Sequence, residues 1–152
     1  MTHRRDDLIY TAALIDGEGS VLLQRSAPNE HRRPAVTIPS TTYVFMTFLK
    51  TTFGGNVSSK KASTPQASLS WNWSVRGNAA LLFLKTVIKF MKEPEKVRRA
   101  RLLLDRYKDV TSRNGQYSKQ RFLEKERFER EFFSTSKKVR SYEAVRHDIG
   151  PD

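Results

Sequence analysis

The sequence predicts an α+β fold in the order αββαββα, in which helices back one face of a four-stranded antiparallel sheet. Three observations predict it. The 38% hydrophobic content is enough to bury a core. Segments of alternating apolar and polar residues lie between segments with helical spacing of apolar residues. Glycine and proline clusters separate these segments, and further helices follow the sheet.

The first predicted elements are a helix and two strands. The helix is expected to begin at Leu8, behind a cap at Asp6 or Asp7, and to end at Gly17 and Gly19. Strands are predicted over residues 20–25 and 34–40, because β-branched and leucine residues recur there between turn signals. A polar, basic turn over residues 29–33 joins them.

The second half of the predicted sheet follows another helix. This helix is expected to begin behind Thr41 or Thr42 and to stop at Gly54-Gly55. A short strand over residues 56–60 leads to the clearest strand, over residues 68–76. Its apolar face is predicted to consist of Leu69, Trp71, Trp73 and Val75. We therefore expect both tryptophans in the core rather than on a surface that stacks with bases.

Three more helices are predicted. The first, after Gly77-Asn78, is apolar nearly all round and should be buried. The second follows the break at Glu93-Pro94, and the third, a charged helix, starts at Ser118. We predict one domain over residues 1–152, with a core at about 7–108, a helical extension at about 109–135 and a basic tail at 136–152.

Charge indicates a polyanionic partner. Lys and Arg outnumber Asp and Glu by 28 to 16, which gives a net charge of +12. A surplus of this size favours nucleic acid, because each neutralised phosphate releases counterions. A merely basic protein is the plainer alternative. A membrane-surface protein is disfavoured, because no predicted helix combines a wholly basic face with a wholly apolar one.

Several site types and locations are disfavoured by composition. The chain has no cysteine, so disulfides, thiolate nucleophiles and cysteine zinc sites are absent, and His3, His31 and His147 lack ligand spacing. No apolar run is long enough for a membrane span, and no signal peptide is recognisable. We expect a cytoplasmic protein, or an organellar one in a eukaryotic host.

The segment from Thr11 to Gly19 is the strongest candidate site. Ala12 and Ala13 are small enough to let another helix approach, and the glycines leave Glu18 at the tip of the helix. One interpretation is an ordinary helix end with solvated acids. The other is a metal site, since a carboxylate beside the negative end of a helix gains from a bound cation and suits Mg²⁺.

This segment resembles the signature of the LAGLIDADG homing endonucleases, with Leu14, Ile15, Asp16 and Gly19 in the expected places and Glu18 replacing the second aspartate. Segments 34–41, 53–57, 71–75 and 96–104 also resemble the family, so the likeness covers about residues 7–108. It implies a homing-endonuclease-like fold and a homodimeric enzyme of the single-motif type. The motif helices would pack at the dimer axis through Ala12, Ala13 and Asp16.

The resemblance also implies the chemistry. Glu18 would hold Mg²⁺, or another divalent cation such as Mn²⁺, with help from the carbonyl of Gly17. Lys96 would offset charge at the phosphate, and Ser40 would organise water at the end of the second strand. The reaction implied is hydrolysis of both strands of a long, pseudo-palindromic DNA site.

Double-stranded DNA would lie on the open face of the sheet, where side chains can read the major groove. Arg32 and Arg33 are expected in a turn over the DNA backbone. The other candidates are Gln24, Arg25, Ser58, Lys60, Ser68, Ser70, Asn72, Ser74 and Arg76. The alternative is that residues 68–76 form only the solvated side of a strand.

Two other functions fit the same fold. One is a maturase that binds intron RNA, alone or together with cleavage. The other is a DNA-binding regulator that does not cleave. The presence of Glu18 and Lys96 disfavours the regulator, which needs no metal-binding carboxylate.

Overall fold

The computed structural model describes residues 2–60 and 64–134; the predicted basic tail at 136–152 lies outside these ranges. The elements run in the predicted order. They are α1 (Arg5–Glu18), β1 (Ser20–Gln24), β2 (Arg33–Ser40), α2 (Tyr43–Phe53), β3 (Asn56–Lys60), β4 (Ser70–Arg76), α3 (Asn78–Val87), a 3₁₀ turn (Ile88–Phe90), α4 (Pro94–Arg106) and α5 (Lys119–Phe133).

The four strands form one antiparallel sheet in the order β1-β2-β4-β3. Thr37 in β2 pairs with Ser20 in β1 on one side and with Ser74 in β4 on the other. The predicted α+β architecture, with a four-stranded antiparallel sheet, is confirmed.

Alternation along the strands gives the sheet two unlike faces. One face packs against helices and carries most of the buried strand residues, namely Val21, Leu23, Val36, Ile38, Trp73 and Val75. Helix α3 packs against β2 and β4 and contributes Ala80, Leu84 and Val87 to this core. The other face, here called the polar face, carries most of the hydroxyl, amide and basic side chains of the strands.

Trp73 links the sheet to the end of α2. Its side chain is fully buried, and its Nε1 donates a hydrogen bond to the Gly54 carbonyl at 2.8 Å. Gly54 and Gly55 both have positive φ angles, and a Cβ on Gly55 would lie 2.7 Å from the Ser74 carbonyl oxygen. Glycine is therefore required where the chain turns from α2 into β3.

The ends of α1 differ from the prediction. The helix begins at Arg5 with Arg4 as its N-cap, and the Asp6 and Asp7 carboxylates lie in the first turn, near the positive end of the helix dipole. Gly17 does not end the helix; it continues to Glu18. A helix tolerates a single glycine, so Gly17 and Gly19 predict the C-terminus of α1 only to within two residues.

Two apolar residues expected in the core are exposed. Ser68 and Leu69 precede β4, and Leu69 is 53% exposed, so the apolar face of this strand begins at the half-buried Trp71. Leu82 is 59% exposed, because only one side of α3 meets the sheet. In both segments the apolar residues continue past the part of the strand or helix that other elements cover.

Contacts divide the chain into two compact units, Met1–Lys108 and a second unit that begins at Asp109. The second unit contains α5, whose first turn is capped by the Ser118 hydroxyl accepting from the Arg121 N–H at 3.2 Å, as predicted for a helix start. Organisation as a single domain stays a prediction. Within the described ranges no helix is long and apolar enough to cross a membrane.

Candidate active site and nucleic-acid interface

Glu18 is the last residue of α1, and it is exposed. The chain turns directly after it, where the Gly19 N–H donates to the carbonyls of Leu14 and Ile15 at 3.1 and 3.0 Å. A Cβ on Gly19 would lie 3.2 Å from the Thr37 carbonyl oxygen, so the tip of α1 lies against β2. Glu18 is thus an exposed carboxylate at the negative end of a helix, beside the middle of the sheet.

Lys96, in the first turn of α4, binds the end of α1. Its Nζ donates to the carbonyl oxygens of Ile15 and Asp16 at 2.8 Å each. Both carbonyls lie in the last turn of α1, where backbone acceptors run short of intrahelical donors, and that of Ile15 also accepts from the Gly19 N–H. The ammonium therefore holds the turn that carries Glu18. Its predicted action on a phosphate stays a prediction.

Asp16 binds α4 in return. Its carboxylate accepts hydrogen bonds from the backbone N–H groups of Lys92 at 2.8 Å and Glu93 at 3.2 Å, just before the helix. The Glu93 carboxylate accepts from the Lys96 N–H at 2.6 Å and so caps α4. Sequence reasoning missed this connection, because only the Glu93-Pro94 helix start was visible and its partner is 77 residues away. A role for Asp16 at a dimer interface stays a prediction.

The exposed face of α1 carries residues at positions 9, 13 and 17. Ile9 is 39% exposed, and Ala13 and Gly17 are exposed beside it at intervals of four residues. Ala12 is fully buried within its own chain. This corrects the expectation that Ala12 contacts a partner, since that side of the helix is already packed in the core.

Most of the predicted DNA-contacting residues lie together on the polar face. The strand register places there Gln24, Arg33, Ser58, Lys60, Ser70, Asn72, Ser74 and Arg76. Arg25 directly follows β1, and Ser68 lies before β4 rather than in it, which corrects the predicted strand start. Alternation also puts Ser20 and Thr37 on this face, next to the tip of α1, although the sequence reasoning did not select them.

The two arginines predicted in one turn are separated by the structure. Arg33 is the first residue of β2 and pairs with Gln24 on the polar face. Arg32 instead donates from Nη1 to the Leu23 carbonyl at 3.4 Å, and its own carbonyl accepts from the Tyr107 hydroxyl at 3.4 Å. The expectation of a shared turn is wrong for Arg33, because β2 begins one residue earlier than predicted.

Ser40, at the end of β2, shares the helix-packed side of the strand with Val36 and Ile38. Its hydroxyl accepts a hydrogen bond from the Thr42 N–H at 3.0 Å in the turn that leads to α2. The structure thus assigns this hydroxyl a local partner. Its role in organising water stays a prediction.

Comparison with known proteins adds to this geometry. No protein-family model and no curated protein matches the sequence. Solved structures do match: the homing endonuclease I-CvuI, in complex with its target, has a TM-score of 0.58 at 16% identity, over 88% of each chain. The LAGLIDADG meganuclease I-CpaMI, bound to uncleaved DNA, has a TM-score of 0.59 at 12% identity. The chain has the fold of the LAGLIDADG homing endonucleases.

The homing-endonuclease fold extends over nearly all of the sequence. The homing endonuclease I-TnaI matches 95% of this chain and 99% of its own, with a TM-score of 0.54 at 17% identity. For I-CpaMI the match covers 95% of this chain but 50% of that one. The structural resemblance expected from the motif is confirmed.

Helix α4 of this homing-endonuclease fold is fixed to the sheet by a further set of charges. Glu95 is 8% exposed and pairs with Arg98 at 2.8 Å and Arg99 at 3.1 Å. Arg99 also donates from Nη1 to the Val21 carbonyl at 3.2 Å. The i,i+4 spacing of Glu95 and Arg99 is visible in the sequence, but such pairs usually lie on solvated helix faces. Here the pair positions the helix that carries Lys96.

The donor chemistry at the tip of α1 fits a divalent cation. The exposed Glu18 carboxylate and the carbonyls of a helix end are hard oxygen donors, which Mg²⁺ and Mn²⁺ prefer. Within residues 2–60 and 64–134 no three His, Asp or Glu side chains cluster in a way that could hold a metal ion.

Proposed function

We propose that this chain is a site-specific, metal-dependent DNA endonuclease that works as a homodimer and hydrolyses both strands of a long pseudo-palindromic site. The observation that carries the proposal is the exposed Glu18 carboxylate at the tip of α1, in a turn bound by Lys96 and set against β2 beside the polar face. The contacts of Lys96 fix the position of this carboxylate relative to the sheet.

Charge and shape support double-stranded DNA as the substrate. The net charge is +12, and the polar face carries Arg33, Lys60 and Arg76 among hydroxyls and amides. A two-stranded or wider antiparallel sheet can enter the major groove and present such side chains to base edges. I-CvuI and I-CpaMI, which share the fold, are described in complex with DNA.

Two copies of the chain would form the active enzyme. One chain supplies a single exposed carboxylate at the tip of α1, because that of Asp16 is bound to the start of α4. Cutting two strands needs a metal-binding carboxylate at each of two phosphates. The exposed face with Ile9, Ala13 and Gly17 allows two α1 helices to pack closely about a twofold axis. The match to half of I-CpaMI is also consistent with two copies of this fold in one longer chain.

Glu18 and the Gly17 carbonyl would hold Mg²⁺ or Mn²⁺ at the dimer axis. The bound cation would supply Lewis acidity that activates a water and stabilises the leaving oxygen in phosphodiester hydrolysis. Lys96 keeps the turn in place and partly offsets the negative end of the helix. Glu in place of Asp adds one methylene but keeps the carboxylate. I-CvuI is described with its own target in the presence of Ca, and with the I-CreI target in the presence of Mg, where the DNA is not cleaved.

The test is cleavage of a library of plasmids with randomised inserts, in Mg²⁺, followed by sequencing of the ends. We expect the wild-type protein to linearise a defined subset, and Glu18→Gln to cut none while still binding that subset. Glu124→Gln, at an exposed acid of α5 outside the proposed site, is the matched control and should cut. Undiminished cutting by Glu18→Gln would refute the assignment.

The same test separates the remaining alternatives. A regulator without nuclease activity would bind a subset of duplexes and cut none even as wild type. Intron RNA as a partner, and a cytoplasmic or organellar location, stay predictions.

A further inference from the structure

The register arranges the polar face into rows of different chemistry. The row beside the tip of α1 contains Ser20, Thr37, Ser74 and Asn56. The next row contains Leu22, Ala35 and Arg76, and the last row, at the β1–β2 turn, contains Gln24 and Arg33. Both arginines of the polar face therefore lie towards the end of the sheet that is distant from Glu18.

Arg33 and Arg76 line a common cleft of ≈ 330 Å³, whose walls also include Gln24, Arg25 and Glu30. Both arginines are exposed, and within the part of the chain that the structure describes neither forms an ion pair. The guanidinium donors are therefore available to a ligand. The cleft opens on the face that we propose to meet DNA.

We propose that Arg33 and Arg76 select guanine in each half-site of the DNA target, an inference that rests on the proposed function. Arginine donates two parallel hydrogen bonds to O6 and N7 of guanine, and no other base offers this pair of acceptors in the major groove. The Glu30 carboxylate in the cleft wall repels phosphate, which favours a base edge over the DNA backbone. Leu22, which is half-buried in the row of Arg76, suits the methyl group of thymine.

The register also predicts where these guanines lie. Arg76 is two residues along the sheet from the row of Ser20, and Arg33 is four residues from it. At a strand rise of about 3.4 Å these offsets are about 7 and about 14 Å. The base-pair rise is about 3.4 Å as well, so the guanines lie about two and about four base pairs outward from the pair that faces Ser20.

The row of side chains beside Glu18 should discriminate only weakly among the bases of the DNA. Three of its four residues, Ser20, Thr37 and Ser74, carry short hydroxyls, which both donate and accept hydrogen bonds. A hydroxyl therefore satisfies most base edges and discriminates little among them. The specificity of each half-site should rise from the cut towards its outer part.

The experiment is a binding selection from randomised duplexes with the full chain in Ca²⁺, followed by sequencing. We expect guanine at one or two outer positions of each half-site and near-random bases at the positions closest to the centre. Arg76→Gln and Arg33→Gln should each change one guanine position towards adenine, because glutamine pairs with N6 and N7 of adenine. Each variant should bind the wild-type site about tenfold or more weakly.

Lys60→Gln is the matched control, because it removes one charge from the polar face at the opposite corner. It should weaken binding to all DNA sites, while the protein keeps its preference for guanine at the outer positions. A selected site without outer guanines, or guanine positions that persist in both arginine variants, would overturn the inference and leave the proposed function standing. Failure of the wild-type protein to select any duplex would instead overturn the proposed function and the inference with it.

Discussion

Lys96 donates a hydrogen bond from Nζ to the carbonyl oxygen of Asp16 at 2.8 Å, while the carboxylate of Asp16 accepts from the backbone just before the helix of Lys96. The C-terminus of α1 and the N-terminus of α4 thus bind each other through both residues. The negative end of one helix receives a cation, and the positive end of the other receives an anion. This exchange fixes the turn that carries Glu18.

Lys96→Met should lower both stability and cleavage. The change removes two hydrogen bonds from a charged donor at a half-buried helix end, at a cost of about 1–3 kcal/mol in the free energy of unfolding. The Ile15 carbonyl keeps the Gly19 N–H as a donor, whereas the Asp16 carbonyl loses the ammonium. Urea unfolding measures the stability, and cleavage is measured where the variant is fully folded. Lys92→Met is the control, because Lys92 binds Asp16 through its backbone N–H and its side chain is exposed. If the two variants had the same free energy of unfolding and the same cleavage rate, a positioning role for Lys96 would be contradicted.

Ala13→Glu should separate the proposed dimer. Ala13 is at the centre of the exposed face of α1, and about a twofold axis each new carboxylate would meet its own copy. We expect sedimentation to show a dimer for the wild-type protein at micromolar concentration and a monomer for the variant, with cleavage lost. Ala79→Glu, at an exposed alanine in the first turn of α3, should stay dimeric. A wild-type protein that is monomeric when bound to DNA would refute the dimer.

Gly19→Ala should destabilise the fold, because the added Cβ would lie 2.7 Å from the Ile15 Cα and 3.2 Å from the Thr37 carbonyl oxygen. Both are backbone atoms, so the turn after α1 would have to open as well as move from β2, and we expect a cost of about 1–3 kcal/mol. Gly17→Ala is the control, since nothing in its own chain lies within 4 Å of its added Cβ and alanine favours a helix. Both variants are compared in the Ala13→Glu background, so that the proposed dimer contact of Gly17 does not contribute. Thermal unfolding compares them; a Gly19→Ala variant as stable as Gly17→Ala would show that the contact with β2 is loose.

Lys125 should make stability depend on pH. Its side chain is 2% exposed and donates from Nζ to the Thr111 hydroxyl at 2.7 Å. Burial lowers the pKa of Lys125 from 10.5 to about 8, although Glu129 acts in the opposite direction. Between these values the unfolded chain binds a proton that the folded chain does not, so stability rises with pH from about 8 to about 10.5.

The rise should be at most about 3 kcal/mol, and Lys125→Met should abolish it and stabilise the protein at pH 7. The measurement is urea unfolding of both proteins between pH 7 and pH 10. Lys119→Met, at the exposed start of α5, should keep the wild-type pH dependence. A flat profile for the wild-type protein would show that the Lys125 ammonium is stabilised in the folded state.

Most of the fold could be predicted, because its signals are local. Alternation in 68–76, the Gly54-Gly55 stop and the Ser118 cap each depend on neighbouring residues, and the structure has a strand, a turn and a helix start there. The errors about burial have one cause. Leu69 and Leu82 continue an apolar pattern past the surface that covers it, and Ala12 faces the core of its own chain rather than a partner subunit. Which apolar residues are covered depends on what packs against them, and a pattern in one segment does not contain that information.

The sequence by itself determined that Glu18 ends a glycine-flanked helix, that the chain is strongly basic and that a half-polar sheet follows. Only the tertiary structure decided how Glu18 is held, since Asp16 and Lys96 are 80 residues apart and meet through backbone groups that have no sequence signature. The rows of the polar face were also decided there, because strand register sets which side chains are neighbours. Helix ends and alternation are local consequences of residue type, whereas a site assembled from backbone atoms and register exists only once the chain is folded.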